Sequence, residues 1–179
     1  MNLTSVFRRL CYLLAALALA ALTGCASQMT HQDMTPAPIQ LAKHHAQSVS
    51  VTTLPPATGD AAAAAATMAE LQTALSNAIT ASQAFAKVQR EGSNYQLTVQ
   101  VFNESHPAFG VSFTSKLEMG WTLKRADTGA VVWQESIKSE HTTGGLEAFS
   151  GGERVKMAIA GAIKSNINTG LSRIAALPL

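Results

Sequence analysis

The stretch Val111-Ser112-Phe113-Thr114-Ser115-Lys116-Leu117-Glu118-Met119-Gly120-Trp121-Thr122-Leu123-Lys124 decides the fold. Val111, Phe113, Leu117, Met119, Trp121 and Leu123 share one side of an extended chain. Ser112, Thr114, Lys116, Glu118, Thr122 and Lys124 share the other. Successive side chains of a strand point to opposite faces, so this alternation predicts a long strand with one buried face. Gly120 interrupts the pattern and predicts a bulge. Downstream, Ala126-Asp127-Thr128-Gly129 predicts a tight hairpin turn with Gly129 at positive φ. Val131-Val132-Trp133 opens the return strand, which runs through Ile137 towards His141. Upstream, past His106-Pro107 and Gly110, Tyr95, Leu97, Val99 and Val101 alternate with Gln96, Thr98 and Gln100. The three strands predict an antiparallel meander.

Further out lie one more strand and two helices. Val49 to Leu54 alternates and is rich in β-branched residues, and Pro55-Pro56 ends it. Thr58-Gly59-Asp60 predicts a turn into a helix, with Asp60 as N-cap, or a start at the capping-box pair Thr67 and Glu70. Met68, Leu71, Leu75, Ala78, Ile79 and Ser82 then fall on one helical face, with Gly92 as the stop. At the other end Ser150 and Glu153 have capping-box spacing. Val155, Ile159, Ile163, Ile167, Leu171 and Ile174 form the stripe of a long final helix. Gly161 and Gly170 inside it cost about 1 kcal/mol each against Ala, which predicts close packing on a neighbour. The fold class that satisfies every apolar face is α+β, a two-layer α/β sandwich. Its order is strand, helix, three-strand meander, helix, with two helices on one face of a four-stranded, mostly antiparallel sheet and a right-handed first crossover.

The amino-terminal region reads as an address. Arg8 and Arg9 precede an apolar run from Leu10 to Leu22, which is the layout of a secretory signal and is shorter than the ~20 residues of a bilayer-spanning helix. Leu22-Thr23-Gly24-Cys25 resembles the lipobox of bacterial lipoproteins. That resemblance implies cleavage before Cys25, a diacylglycerol thioether on its sulfur and a further acyl chain such as palmitate on its freed amine. Ala26, where an Asp would retain such a protein at the inner membrane, implies the periplasmic face of the outer membrane. The expected organisation is a signal peptide over 1–24, lipidated Cys25 and a flexible tether over 25–47, and a single domain over 48–179. Pro36, Pro38 and the polar composition support the tether, and His31, His44 and His45 within it are expected to be solvated rather than metal-bound.

Charge and composition narrow the function. Of 13 Lys and Arg, Arg8 and Arg9 would leave with the signal, so 11 basic residues remain against 11 acidic ones. No basic patch offers a nucleic-acid surface. Cys11 lies in the signal and Cys25 would carry lipid, so thiol chemistry and a cysteine metal site are not expected. Phe149-Ser150-Gly151-Gly152-Glu153-Arg154 resembles the signature segment of ATP-binding-cassette proteins, but the chain has no G-x-x-x-x-G-K-[ST] phosphate loop, so no nucleotide is expected. Neither a G-x-S-x-G elbow nor an H-E-x-x-H helix is present. Glu135 would share a face with Trp133 and Ile137 and is expected to be turned outward by a bulge. Trp121 and Trp133 are expected to pack across the hairpin. His141, near Glu140 and Glu147, is expected to be solvated. The chain therefore reads as a non-enzyme without cofactor or metal.

Two stretches extend the argument. Residues 74–88, from Ala74-Leu75-Ser76-Asn77-Ala78-Ile79 to Val88, resemble the first helix of envelope proteins related to the TolB amino-terminal domain. Asp127-Thr128-Gly129-Ala130-Val131-Val132-Trp133 resembles that group's hairpin turn and following strand. The group includes the curli-secretion lipoprotein and LpoB, the lipoprotein activator of penicillin-binding proteins. The lipopolysaccharide-assembly lipoprotein LptE has a comparable helix-and-sheet layout. The resemblance implies an outer-membrane-anchored, protein-binding module in cell-envelope assembly or maintenance, with Val49 to Leu54 as a candidate edge strand for the partner. The alternative is a lipid or lipopolysaccharide carrier whose helices part from the sheet. A small hydrolase around His141 and Ser150 ranks last.

Overall fold

The computed structural model describes residues 28–56 and 61–179. Leu22, Thr23, Gly24, Cys25 and Ala26 lie outside the described residues, as does the Thr58-Gly59-Asp60 turn. The elements are α1 (His31–Met34), β1 (His45–Leu54), α2 (Ala61–Ser82), β2 (Phe85–Val88), β3 (Tyr95–Ser105), β4 (Phe113–Arg125), β5 (Val131–Thr143) and α3 (Gly151–Ala175). They form one open sheet in the order β2-β1-β3-β4-β5. α2 lies over β1 and β2, and α3 over β4 and β5.

The meander follows the alternation. β3 and β4 pair antiparallel with Val101 opposite Met119, and β4 and β5 with Met119 opposite Ile137. Leu97, Val99, Leu117, Met119, Trp121 and Leu123 are buried beneath the helices. Trp121 is the centre of that core. Its Nε1 donates to Asn166 Oδ1 on α3 at 2.9 Å, and Asn166 Nδ2 donates to the Ile137 carbonyl at 2.8 Å. One amide thus ties α3, β4 and the outer strand β5 together. Gly170 permits the approach, because a Cβ there would lie 2.5 Å from the Trp121 ring. The turns of α3 between Gly161 and Gly170 are helical at the expense of propensity and recover it in packing.

The sheet has five strands where four were expected. The helix does not run on to Gly92; it ends at Ser82, and Gln83 takes a left-handed φ of 54°. Gln83 N donates to the Thr80 carbonyl at 3.2 Å and Ala84 N to the Ile79 carbonyl at 3.1 Å, which satisfies the last helical carbonyls in a Schellman cap. Ile79 and Ala84 are both fully buried, the apolar contact that accompanies such a cap. The chain then turns directly into β2. Phe85 is buried, its ring 5.4 Å from His45 and 6.2 Å from Tyr95. β2 pairs parallel with β1, and β1 pairs parallel with β3 from Val49 opposite Tyr95 to Leu54 opposite Gln100. β2 reaches along β1 only as far as Val49, so Val49 has a strand on both sides, while Ser50 to Leu54 pair with β3 alone and keep the free side expected of an edge.

The segment expected to be a tether is docked over residues 28–47. Thr30 caps α1 in a reciprocal capping box with Asp33, and Met34 is fully buried. Asp33 pairs with Lys156 Nζ at 2.9 Å. His31 Nδ1 lies 2.8 Å from Glu70 Oε2, and the His31 backbone N–H donates to the same oxygen at 2.6 Å. His45, expected to be solvated, is buried at the start of β1 with Nε2 2.9 Å from the Ile174 carbonyl. His44 meets the Gln83 carbonyl at 2.9 Å through Nδ1. The polar composition is consistent with a docked strap because its side chains bond to the backbone and ion partners of α2 and α3.

Two expectations about β4 and β5 also change. Gly120 carries no bulge, since the ladder runs through it to Gln100 on one side and Ser136 on the other. The extra residue is Phe102 on β3, between Val101 and Asn103. Its ring lies on Gly120, where a Cβ would come within 2.3 Å of it. The β5 bulge falls at Val132, between the Leu123–Trp133 and Lys124–Val131 pairs, so it leaves Glu135 on the helix face instead of turning it outward. There Glu135 Oε1 meets Arg173 Nε at 3.5 Å.

Candidate interaction surface

Three surfaces stand out among the described residues outside the face that the helices cover. The first is the edge of β5, a 13-residue strand whose only neighbour in the sheet is β4. α3 buttresses it from within, with Ser139 Oγ donating to the Ala162 carbonyl at 2.9 Å and Glu135 held by Arg173. Its first two residues, Val131 and Val132, are exposed, and Trp133 is half-buried with its ring 6.3 Å from Trp121. The opposite edge is made of β2, four residues, and of Ser50 to Leu54 of β1, which β2 does not reach. A long edge presents a row of unpaired backbone donors and acceptors, whereas a short one offers little to a second strand.

The second surface is the open face of the sheet. Thr98, Gln100, Thr122, Gln134 and Ser136 surround the Phe102 ring on it. The third is the end where β3, β4 and β5 meet their loops. Phe109 and Val111 stand exposed on the β3–β4 loop, and Leu146 and Phe149 on the β5–α3 loop. Val111 was expected on the buried face of β4, but the strand begins two residues later at Phe113. Composition could have flagged the other three, since large apolar residues in loops rich in Gly and polar residues have no strand or helix face to serve.

The far end is closed by the expected hairpin, with Gly129 at φ 70° and its N–H donating to the Arg125 carbonyl at 2.9 Å. Arg125 holds Asp127 through Nε at 3.0 Å and Nη2 at 2.5 Å. This guanidinium contact lowers the Asp127 carboxyl to a pKa of about 2. At the strap, the Thr30 backbone N–H and then Lys156 lower Asp33 to about 2, and the His31 backbone N–H likewise lowers Glu70.

The residues weighed for catalysis do not converge. His141 lies on β5 opposite Ser115, packed over Gly161, and Ser150 Oγ accepts from Glu153 N at 3.1 Å as the cap of α3. Glu147 Oε1 accepts from Gly144 N at 2.6 Å within its own loop. Among the described residues no three His, Cys, Asp or Glu side chains are grouped to hold a metal, and no helix is long and apolar enough to cross a membrane.

No protein-family model and no curated protein matches the chain. Its likenesses are to solved structures. Protein XCC0632 from Xanthomonas campestris, of the family DUF330, is similar with a TM-score of 0.57 at 16% identity, over 78% of this chain and 89% of that one. Protein CT253 from Chlamydia trachomatis is similar with a TM-score of 0.54 at 6% identity, over 73% of this chain and 96% of that one. The uncharacterized lipoprotein B from Nitrosomonas europaea aligns with a TM-score of 0.48 at 16% identity, over 76% and 87% of the two chains. The first two likenesses establish a shared α+β sandwich. At such identities a fold is what is shared, and function has to be argued from this chain's own surfaces.

Proposed function

We propose that the chain is a bacterial lipoprotein, held by acyl chains on Cys25 at the periplasmic face of the outer membrane, and that its domain is a non-enzymatic module binding a cell-envelope protein. Leu22-Thr23-Gly24-Cys25 and Ala26 support the anchor and its sorting, and the resemblance to the TolB amino-terminal group supports the envelope role. The observation that carries the binding role is the β5 edge, a longer free edge than the one Ser50 to Leu54 leave beyond β2. From Val131 to Ile137 it combines free backbone groups with exposed valines and a half-buried tryptophan, on a strand that α3 holds rigid. A partner strand laid there gains ladder hydrogen bonds without reshaping the fold. The test is a photo-crosslinking residue at Gln134 or Ser136 of the full chain in the native host. One recurrent envelope protein captured from β5, and not from a control position at Glu91, is expected. Labelled palmitate should enter the wild type and not Cys25→Ser, and the acylated protein should fractionate with the outer membrane. Absence of a recurrent partner defeats the binding role, and inner-membrane fractionation defeats the sorting.

A lipid-carrier role is favoured by one feature. An apolar recess of about 400 Å³ lies between the strap, the helices and the sheet, lined by Met29, Met34, Met68, Leu71, Val101 and Ile159 among others. That volume falls within the range of ligand sites, about 300–1,000 Å³. Native mass spectrometry of the protein purified from membranes separates the two: a stoichiometric lipid beyond the acyl anchor supports the carrier, and its absence defeats it.

A further inference from the structure

We propose that the loop end of the sandwich is a membrane-docking tip, with Phe109, Val111, Leu146 and Phe149 entering the headgroup–acyl boundary of the bilayer beside the anchor. The inference rests on the acylation of Cys25 proposed above. Phe109 is 93% exposed, Val111 78%, Leu146 103% and Phe149 110%. They come from two loops that touch, since a Cβ on Gly145 would lie 2.4 Å from Val111 Cγ1. The loops leave the sheet at one cross-strand pair, Phe113 opposite Thr143.

The second loop is braced. Arg154 Nη1 donates to the Ala148 carbonyl at 2.7 Å, and its guanidinium lies 5.8 Å over the Phe113 ring. Glu147 is turned back on Gly144 N, so the loop's own carboxylate is occupied and the apolar side chains project past it. A free-standing domain gains nothing from holding four large apolar side chains in water, whereas a bilayer takes that apolar surface out of water.

The start of the described chain says what covers it. The strap begins towards the same end of the molecule: Met29 lines the apolar recess together with Pro56, just past β1, Glu104, the last residue but one of β3, and Leu117, the fifth residue of β4. The Asp33–Lys156 pair fixes α1 beside the second turn of α3, the helix that starts at the tip. Gln28 is three residues from Cys25, a reach of about 10 Å even when fully extended. An acyl group inserted in a bilayer therefore holds this end, and not the hairpin end, against the lipid. The hairpin lies the length of β4 away, about 40 Å at 3.3–3.4 Å per residue. Interfacial segments bury their apolar side chains about 5–10 Å into the boundary, a depth these loops can reach.

The test uses the full chain, acylated in the host, purified from membranes and placed in vesicles of phosphatidylethanolamine and phosphatidylglycerol. With Cys25 blocked by its thioether and Cys11 removed with the signal, Ala108→Cys or Thr128→Cys supplies a single thiol for a fluorescent probe. Nitroxide-bearing lipids are expected to quench the Ala108→Cys probe by about half or more, the response of a group near the acyl boundary. The Thr128→Cys probe on the far hairpin should be unquenched. Combining Phe109→Ser, Val111→Ser, Leu146→Ser and Phe149→Ser should abolish the quenching while the protein still floats with the vesicles. An acylated, floating protein whose Ala108→Cys probe is unquenched overturns the tip and leaves the anchor standing. A probe shielded from aqueous iodide but not quenched by lipid means that a second copy or another protein covers the tip, and overturns it equally. Mass spectrometry showing an unmodified Cys25 overturns the anchor, and this inference with it.

Discussion

Asn166→Ala should be the most informative single substitution in the core. Asn166 is fully buried on α3 and bonds through both ends of its amide: Oδ1 accepts from Trp121 Nε1, and Nδ2 donates to the Ile137 carbonyl and at 3.1 Å to Ser139 Oγ. Truncation leaves the indole N–H with no partner inside a fully buried ring, which costs about 1–3 kcal/mol. The lost contact with β5 and the small cavity add to this, while Ser139 keeps its bond to the Ala162 carbonyl. The expected total is about 2–4 kcal/mol, a large part of a typical domain stability of about 5–15 kcal/mol. Trp121→Phe removes the orphaned donor. In that background Asn166→Ala should cost about 1–2 kcal/mol less, and the difference is the coupling through the hydrogen bond. Urea unfolding followed by far-ultraviolet circular dichroism measures all four variants without depending on the tryptophan being altered. A cost below about 1 kcal/mol, or equal costs in both backgrounds, would refute the reasoning that this amide is what fastens α3 to the sheet.

Other substitutions test separate parts of the account. Gly170→Ala places a Cβ 2.5 Å from the Trp121 ring, and the overpacking should outweigh the gain in helix propensity by about 1–3 kcal/mol, seen as a lowered urea midpoint. Gln83→Gly relieves a left-handed φ of 54° in the Schellman cap of α2 and should raise the midpoint slightly, by about 0.5 kcal/mol after the entropy of the unfolded chain is counted. Asp33 has a folded pKa of about 2 against its ordinary value of 3.8. Its contribution is therefore present above pH 3.8 and lost as pH falls towards 2. Asp33→Asn should destabilise by about 1 kcal/mol or less near pH 6, the pair being partly exposed. The gap from wild type should close on acidification to about pH 2, as read from urea midpoints at each pH. A gap that stays constant with pH would remove the Asp33–Lys156 pair from the account.

What could be read from the sequence was whatever repeats. Alternation over Tyr95 to Val101 and Phe113 to Leu123, and the apolar stripe from Ile159 to Ile174, were visible because each residue repeats the same choice of face. β2 has four residues and follows α2 after a cap made by Gln83, which gives none of the signal that glycine would. Without β2 in the sheet, the whole of β1 stands at the edge, whereas β2 covers it as far as Val49, so a single short strand changes the reading of the surface. The strap is illegible for a related reason. Its stability comes from three separated buried residues, Met34, Pro36 and His45, and from bonds of His31, Asp33 and His45 to groups 39 or more residues away, which no local period records. The tip hides in loops that read as connections, although Phe109, Leu146 and Phe149 are too apolar for that role alone.

The two proposed surfaces constrain one another. β5 runs from the hairpin at Val131 to the tip at Thr143, so a tip seated on the bilayer stands this strand upright, with Val131 and Val132 farthest from the lipid. The segment proposed for strand addition then lies in the periplasm above the membrane, within reach of a protein approaching from the side. Lys138 and Glu140, nearer the tip, carry the charges that discourage pairing there. Crosslinks should therefore be strong at Gln134 and weak at Glu140. If the tip were instead free and the domain hung on a loose tether, orientation would be random and rotation would leave no reason for the four tip residues to influence capture at β5. The quadruple serine variant decides between these: with a seated tip it lowers the rate of capture from Gln134 while acylation and flotation stay as they were, and with a loose tether it leaves that rate unchanged.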